Sequence, residues 1–151
     1  MTDPTQVDHG VDLDDLESFV EHAAANPEAV QLGLGARSTY EGTCAHSLAK
    51  IDSYSLGGET IDRDTREYTV PYGGWREVLD AAGWVGATDR IEPIEAALSA
   101  LASCINVGIT INAVAHGVEI EHLRTRVRTD FDPGVLFSLQ DLGEADAVFE
   151  N

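Results

Sequence analysis

"PIEAALSALASCINVGITINAVA", residues 93–115, is the stretch on which the fold turns. From Ala96 to Ala115 it runs for twenty residues without a charge, in a chain of 27 acidic and 9 basic residues. Twenty uncharged residues suffice to cross a bilayer. The composition argues otherwise: Ser99, Ser103, Asn106, Thr110 and Asn112 are spread through it, and two mid-span Asn would need partners in lipid. No Lys cluster or aromatic belt flanks it. A helix buried in protein on most faces fits better, and a membrane-associated helix is the weaker reading. Ala96, Ala97, Ala100, Ala102 and Gly108 let a second backbone come close, either from the same chain or from a twin across a dimer interface.

Working outward, His116-Gly117 stops this helix. VEIEHLRTRVRTDF then alternates as a strand, with Val118, Ile120, Leu123, Val127 and Phe131 inward and a bulge where the phase slips after Glu121. Upstream, Asp12 caps a helix to about Ala25 with Leu13, Leu16, Phe19 and Val20 on one stripe, and Asn26-Pro27 ends it. A hairpin over 31–54 turns near Glu41-Gly42, Gly57-Gly58 marks another turn, and REYTVPY is a third strand. GWREVLDAAGW holds a short helix. Strands, one long helix and more strands read as α+β. Residues 1–11 read as a flexible tail and 12–151 as a single domain.

Net charge is −18, and eight of the nine basic residues are Arg. Such a chain lacks the basic footprint that nucleic acid or anionic lipid requires. Scattered acidity with a single Lys fits a protein from a high-salt cytoplasm, where salt screens self-repulsion, and the plainer alternative is an ordinary acidic soluble protein. The N-terminus has no apolar signal segment. Two cysteines do not make a disulfide framework, so a reducing, cytoplasmic setting is expected.

The block GATDRIEPIEAALSALASCINVGITINAVAHGVEIEHLRTRVRTDFDP, residues 86–133, resembles the central part of the OsmC/Ohr family. That family is named for an osmotically inducible protein and an organic hydroperoxide resistance protein. Pro93, Glu95, the small-residue run ending in Cys104, Gly117-Val118 and the strand to Asp132 carry the resemblance in order. It implies an intertwined homodimer, with antiparallel sheets wrapped around long central helices and active sites at the dimer interface. It implies a cysteine-based peroxidase in which Cys104 attacks organic hydroperoxides, an arginine from the N-terminal sheet and a glutamate before the cysteine tune that thiol, and a thiol or lipoyl reductant restores it.

The chemistry behind those roles is general. Attack on an O–O bond needs a thiolate, and an unassisted thiol with a pKa near ~8.5 is mostly protonated at neutral pH. Burial in an apolar helix disfavours the thiolate further, so a cation must come close. No basic residue lies between Glu95 and His116. Arg37 is the first choice, with Arg90 and His116 behind it. The site is therefore expected at Cys104, Arg37 and Glu95, without metal or cofactor.

Four features depart from the family pattern. The position ten before the cysteine, where peroxidase members carry glutamate, is Ile94; Glu95 is nine before and falls roughly opposite Cys104 on a straight helix, where it could instead cap the first turn. No cysteine follows Cys104, so the family's resolving thiol is missing and the domain is expected to be divergent or incomplete at its C-terminal end. Cys44 lies in the N-terminal hairpin, sharing a strand face with His46. The GWREVLDAAGWVG segment is long, and Trp75 and Trp84 are either pocket-lining or packing residues. Arg124, Arg126 and Arg128 form one strand face, expected to pair with carboxylates. The alternative reading keeps the same fold without catalysis: Cys104 is a small buried hydrophobe, and the protein is structural or binds a small apolar ligand.

Overall fold

The computed structural model describes residues 7–62, 68–86, 89–134, 137, 139 and 149–150. The described elements are α+β, with short antiparallel sheets and one long helix. β1 (Val7–Asp8) and β2 (Val11–Asp12) form a two-residue ladder inside the expected tail. Helix α1 (Leu13–Ala25) follows, capped by Asp12, whose Oδ1 accepts from Asp14 N at 3.1 Å and Asp15 N at 3.3 Å. Asp14 and Asp15 in the first turn suit the positive end of its dipole. Its apolar stripe is not buried: Phe19 and Val20 are both exposed.

A single 3₁₀ turn (Pro27–Val30) leads to two three-stranded sheets. In the first, β3 (Leu32–Gly33), β6 (Tyr54–Leu56) and β7 (Glu59–Ile61) lie in that order. The β6–β7 turn is Gly57-Gly58, with φ of 56° and 84°, the two left-handed positions of a tight hairpin. A Cβ on Gly57 would also sit 2.9 Å from the Ala29 carbonyl oxygen.

In the second sheet β5 (Ser47–Ile51) is central between β4 (Ala36–Tyr40) and β8 (Tyr68–Tyr72). Pro71 sits on the edge strand β8, where a missing ladder donor is tolerated. The β4–β5 turn is closed by Glu41 N to His46 O at 3.3 Å and His46 N to Thr43 O at 3.0 Å. Ala45 there takes φ of 63°. Cys44 and His46 therefore do not share a strand face: both lie in the turn, with Cys44 exposed and His46 buried.

The long GWREVLDAAGWVG segment has a packing role. It contains α2 (Arg76–Ala81), whose buried Leu79 would meet a Cβ on Gly74 at 3.4 Å. Trp84 Nε1 donates to the Cys44 carbonyl at 2.9 Å, tying the segment to the β4–β5 turn. Short parallel bridges, Tyr72 to Ile91 and Gly74 to Asp89, then lead into the long helix.

Helix α3 spans Pro93–Ala115, as the sequence predicts. Its start is a capping box: Glu92 Oε2 accepts from Ile94 N at 2.6 Å, and Glu95 Oε2 accepts from Glu92 N at 3.1 Å. Its end is a left-handed Gly117 with φ of 65°, Gly117 N bonding Val114 O at 3.1 Å and Val118 N bonding Ala113 O at 2.8 Å.

Two expectations about the centre are corrected. The alternating segment is extended, but only β9 (Asp130–Phe131) is a strand, paired with β10 (Phe149–Glu150). From Glu119 to Arg128 no backbone–backbone hydrogen bond forms among the described residues. The alternation itself is real: Ile120, Leu123, Thr125, Val127 and Thr129 are half-buried, and exposed Glu121 and His122 mark the phase slip. Val118 is exposed because it belongs to the helix stop.

The second correction concerns burial. Within one chain α3 is not enclosed; only Ala113 and Val114 are buried. Leu101 is 50% exposed, Val107 56% and Ile111 56%. One extended segment covers one face of a helix and leaves the others open.

Candidate functional site

Cys104 is the midpoint of α3 and carries a free, exposed thiol. Its surroundings follow from helical phase at about 100° per residue. Ile94, Leu98, Ala102 and Asn106 form the half-buried row nearest the extended segment, and Thr125 donates its hydroxyl to Asn106 Oδ1 across that contact. Ala97, Leu101, Cys104, Gly108, Ile111 and Ala115 form an adjoining row, and all six are exposed.

The polar residues of α3 are placed with the same economy. Ser99, Ser103 and Thr110 run along one flank and turn their hydroxyls back onto helix carbonyls: Ser99 Oγ to Ala96 O at 2.8 Å, Ser103 Oγ to Ser99 O at 3.0 Å, Thr110 Oγ1 to Asn106 O at 3.0 Å. Asn112 Nδ2 donates to Gly108 O at 2.8 Å. Together with the Thr125–Asn106 bond, each of the five polar side chains in the uncharged stretch has a partner. Such a helix can be dehydrated at little polar cost. By length and mean hydropathy of 1.7, α3 is also long and apolar enough to cross a membrane.

The three expected site residues are not brought together within one chain. Arg37 on β4 pairs with Asp52, Nη1 to Oδ1 at 2.8 Å, with its side chain 64% exposed. Glu95 holds the capping box, on the side of the helix away from Cys104. The other two cation candidates are engaged elsewhere. Arg90 pairs with Glu41 and reaches the Tyr72 carbonyl at 3.5 Å. A Cβ on Gly73 would fall 2.8 Å from Arg90 Cβ, so the glycine makes room for that arginine. His116 Nδ1 lies 2.8 Å from Asn112 O.

Cys44 and Cys104 are both free thiols. Among the described residues, no group of three or more His, Cys, Asp or Glu could hold a metal ion. Arg124, Arg126 and Arg128 are exposed and, among the described residues, form no ion pair with a carboxylate.

Two features were beyond sequence reasoning. One is an apolar groove of about 420 Å³ beside the start of α3, lined by Pro93, Ile94, Ala97, Leu98, Leu101 and Thr129. Its signal was present in the spacing of 94, 97, 98 and 101, but only the return of the chain at Thr129 makes it a groove. The other is His46, buried with Nε2 lacking a hydrogen-bond partner among the described residues. The sequence set it beside Cys44 on a strand face, but nothing in the pattern marked its burial.

No protein-family model matches the chain, and a search of curated proteins finds no match either.

Proposed function

We propose that the chain is a cytoplasmic, homodimeric OsmC-like protein, adapted to high salt, whose Cys104 reduces organic hydroperoxides. The reading starts from the order of Pro93, Glu95, Cys104 and Gly117-Val118. In the fold, that order corresponds to a capped helix start, a thiol at mid-helix, a left-handed stop and an extended segment. The observation that carries it is the position of Cys104: free, exposed and centred on a helix row without any charge. In the step proposed, the thiolate attacks one peroxide oxygen and the O–O bond breaks. Sulfur becomes a sulfenic acid and the other oxygen leaves as an alcohol after taking a proton. An external thiol or lipoyl group supplies the two electrons that restore it.

Dimerisation is supported by the apolar side chains that α3 leaves exposed, with Leu101 50%, Val107 56% and Ile111 56% exposed. A twin is also the source from which a cation such as Arg37 would reach Cys104, since within the protomer Arg37 faces Asp52.

The test is stoichiometric. Pure protein is treated with cumene hydroperoxide, and free thiols are counted by mass spectrometry. The expected result is loss of the Cys104 thiol and consumption of peroxide with added dithiol, both abolished by Cys104→Ser and retained in Cys44→Ser. A Cys104 that stays reduced while Cys44 reacts sinks the peroxidase reading. The groove at Pro93–Leu101 favours a second reading, a non-catalytic protein binding a small apolar ligand. In that case an apolar fluorophore binds stoichiometrically and Leu101→Asp abolishes the signal, while peroxide is not consumed.

A further inference from the structure

We propose that Arg124, Arg126 and Arg128 form a ladder that binds an acidic polypeptide strand, one with a carboxylate at every second residue. The proposal stands apart from the peroxidase and homodimer readings above.

The ladder follows from alternation. Successive side chains of an extended chain point to opposite faces and rise about 3.3 Å per residue. Leu123, Thr125, Val127 and Thr129 are half-buried; Thr125 bonds Asn106 of α3, and Thr129 closes the groove beside it. Arg124, Arg126 and Arg128 alternate with them and are all exposed, with exposed His122 continuing the row. The arginines therefore stand about 6.6 Å apart in turn and span about 13 Å. Three of the 9 basic residues of a chain with net charge −18 are gathered in this one stretch.

These arginines are treated differently from others in the fold. Arg37 holds Asp52, and Arg90 holds Glu41. The chain carries 27 acidic residues, yet among the described residues none of them pairs with Arg124, Arg126 or Arg128. Three like charges on one face repel, and an anion laid along them removes that repulsion. Guanidinium groups also grip carboxylates through two parallel hydrogen bonds, which an ammonium does not do.

The class of partner is set by backbone and by rings. From Glu119 to Arg128 no backbone–backbone hydrogen bond forms among the described residues, so the segment has amides and carbonyls to offer a second strand. A strand laid along one edge brings its alternate side chains to about 4.5–5.5 Å from the arginines, Cβ to Cβ, in step with the ladder. One edge is enough, and the other stays open to a second copy. A phosphate chain has no amides to pair there. Between Glu119 and Asp130 there is also no Trp, Tyr or Phe on which a base could stack.

Salt decides whether two acidic molecules can meet. At 1 M salt, charges are screened beyond about 3 Å. Repulsion between the partner and the rest of the chain acts over longer distances and is suppressed. An arginine–carboxylate hydrogen bond of about 2.7–2.9 Å lies inside that range and persists.

The experiment uses the full chain in about 1 M KCl. A dye-labelled peptide, Thr-Glu-Thr-Glu-Thr-Glu-Thr, is titrated and its anisotropy followed. Saturable binding is expected, weakened at least about ten-fold by Arg124→Ser/Arg126→Ser/Arg128→Ser. Arg76→Ser, at an exposed arginine on α2, should leave it unchanged. Arg124→Lys/Arg126→Lys/Arg128→Lys keeps the charge without the fork and should fall between; it carries the test if circular dichroism shows the serine variant unfolded. The peptide with Gln for every Glu should not bind. Thr-Thr-Glu-Glu-Glu-Thr-Thr, of the same composition, should bind at least several-fold more weakly, because adjacent carboxylates point to opposite faces. Equal binding of the two acidic peptides, full binding by the serine variant, or no binding at millimolar peptide overturns the ladder. An oligothymidylate that binds more tightly than the peptide in the same salt makes the face a phosphate site and overturns the partner. A dimer by sedimentation that becomes a monomer in the serine variant assigns the face to a second copy and overturns the partner as well.

Discussion

Thr125 donates its hydroxyl to Asn106 Oδ1, and this bond joins the extended segment to the covered face of α3. It is a half-buried contact between residues nineteen apart in sequence. Replacing Thr125 by Val keeps the shape and leaves the Asn106 oxygen without its donor. The expected loss is about 1–3 kcal/mol, read as a lower urea midpoint at unchanged slope. Thr125→Ser should restore most of it.

Glu95 separates a structural from a catalytic role. Its carboxylate accepts from Glu92 N, so Glu95→Ala should cost about 0.5–2 kcal/mol of stability, measured by thermal unfolding. Glutamine completes the same capping box. Glu95→Gln is therefore expected to match the parent in stability and in peroxide consumption, which a charge-dependent catalytic role would not allow.

Arg37 is tested by the opposite combination. Its ion pair with Asp52 is exposed, so Arg37→Ala should change stability by less than about 1 kcal/mol. If the guanidinium supports the Cys104 thiolate across a dimer, the same change slows alkylation of Cys104 at neutral pH at least several-fold. Alkylation rates for both cysteines, followed by mass spectrometry, check this, with Cys44 as the internal control.

Salt should act on the whole chain. With a net charge of −18, self-repulsion is strong in dilute buffer and screened at high ionic strength. The melting temperature is expected to rise steadily as KCl goes from 0.1 to about 2 M. A flat profile would remove the halophilic interpretation of the composition.

Local rules made much of the fold legible. Asp12 caps α1, Pro93 and Glu95 open α3, and Gly117 closes it, each because the backbone groups at a helix end must find a partner within a few residues. The Gly57-Gly58 turn is equally local. What failed is non-local. Burial of α3 was inferred from its lack of charge, but lack of charge does not say what covers a helix, and the described residues cover one face only. The strand over 118–129 was inferred from alternation, yet a strand needs a neighbour, and alternation does not say which chain provides it. The candidate site shows the same division. Cys104 could be picked out from its surroundings in sequence, whereas the use of Arg90 on Glu41 and of Arg37 on Asp52 depends on contacts across turns that no spacing encodes.

The segment Glu119–Arg128 carries amides and carbonyls along both sides with no backbone partner among the described residues. If a second copy completes those groups, as the proposed homodimer requires, the chain has no fixed unfolding free energy of its own. Its melting temperature would then climb with the logarithm of protein concentration, as for any fold whose last strand is supplied by mass action. Dilution alone would act on it as a denaturant.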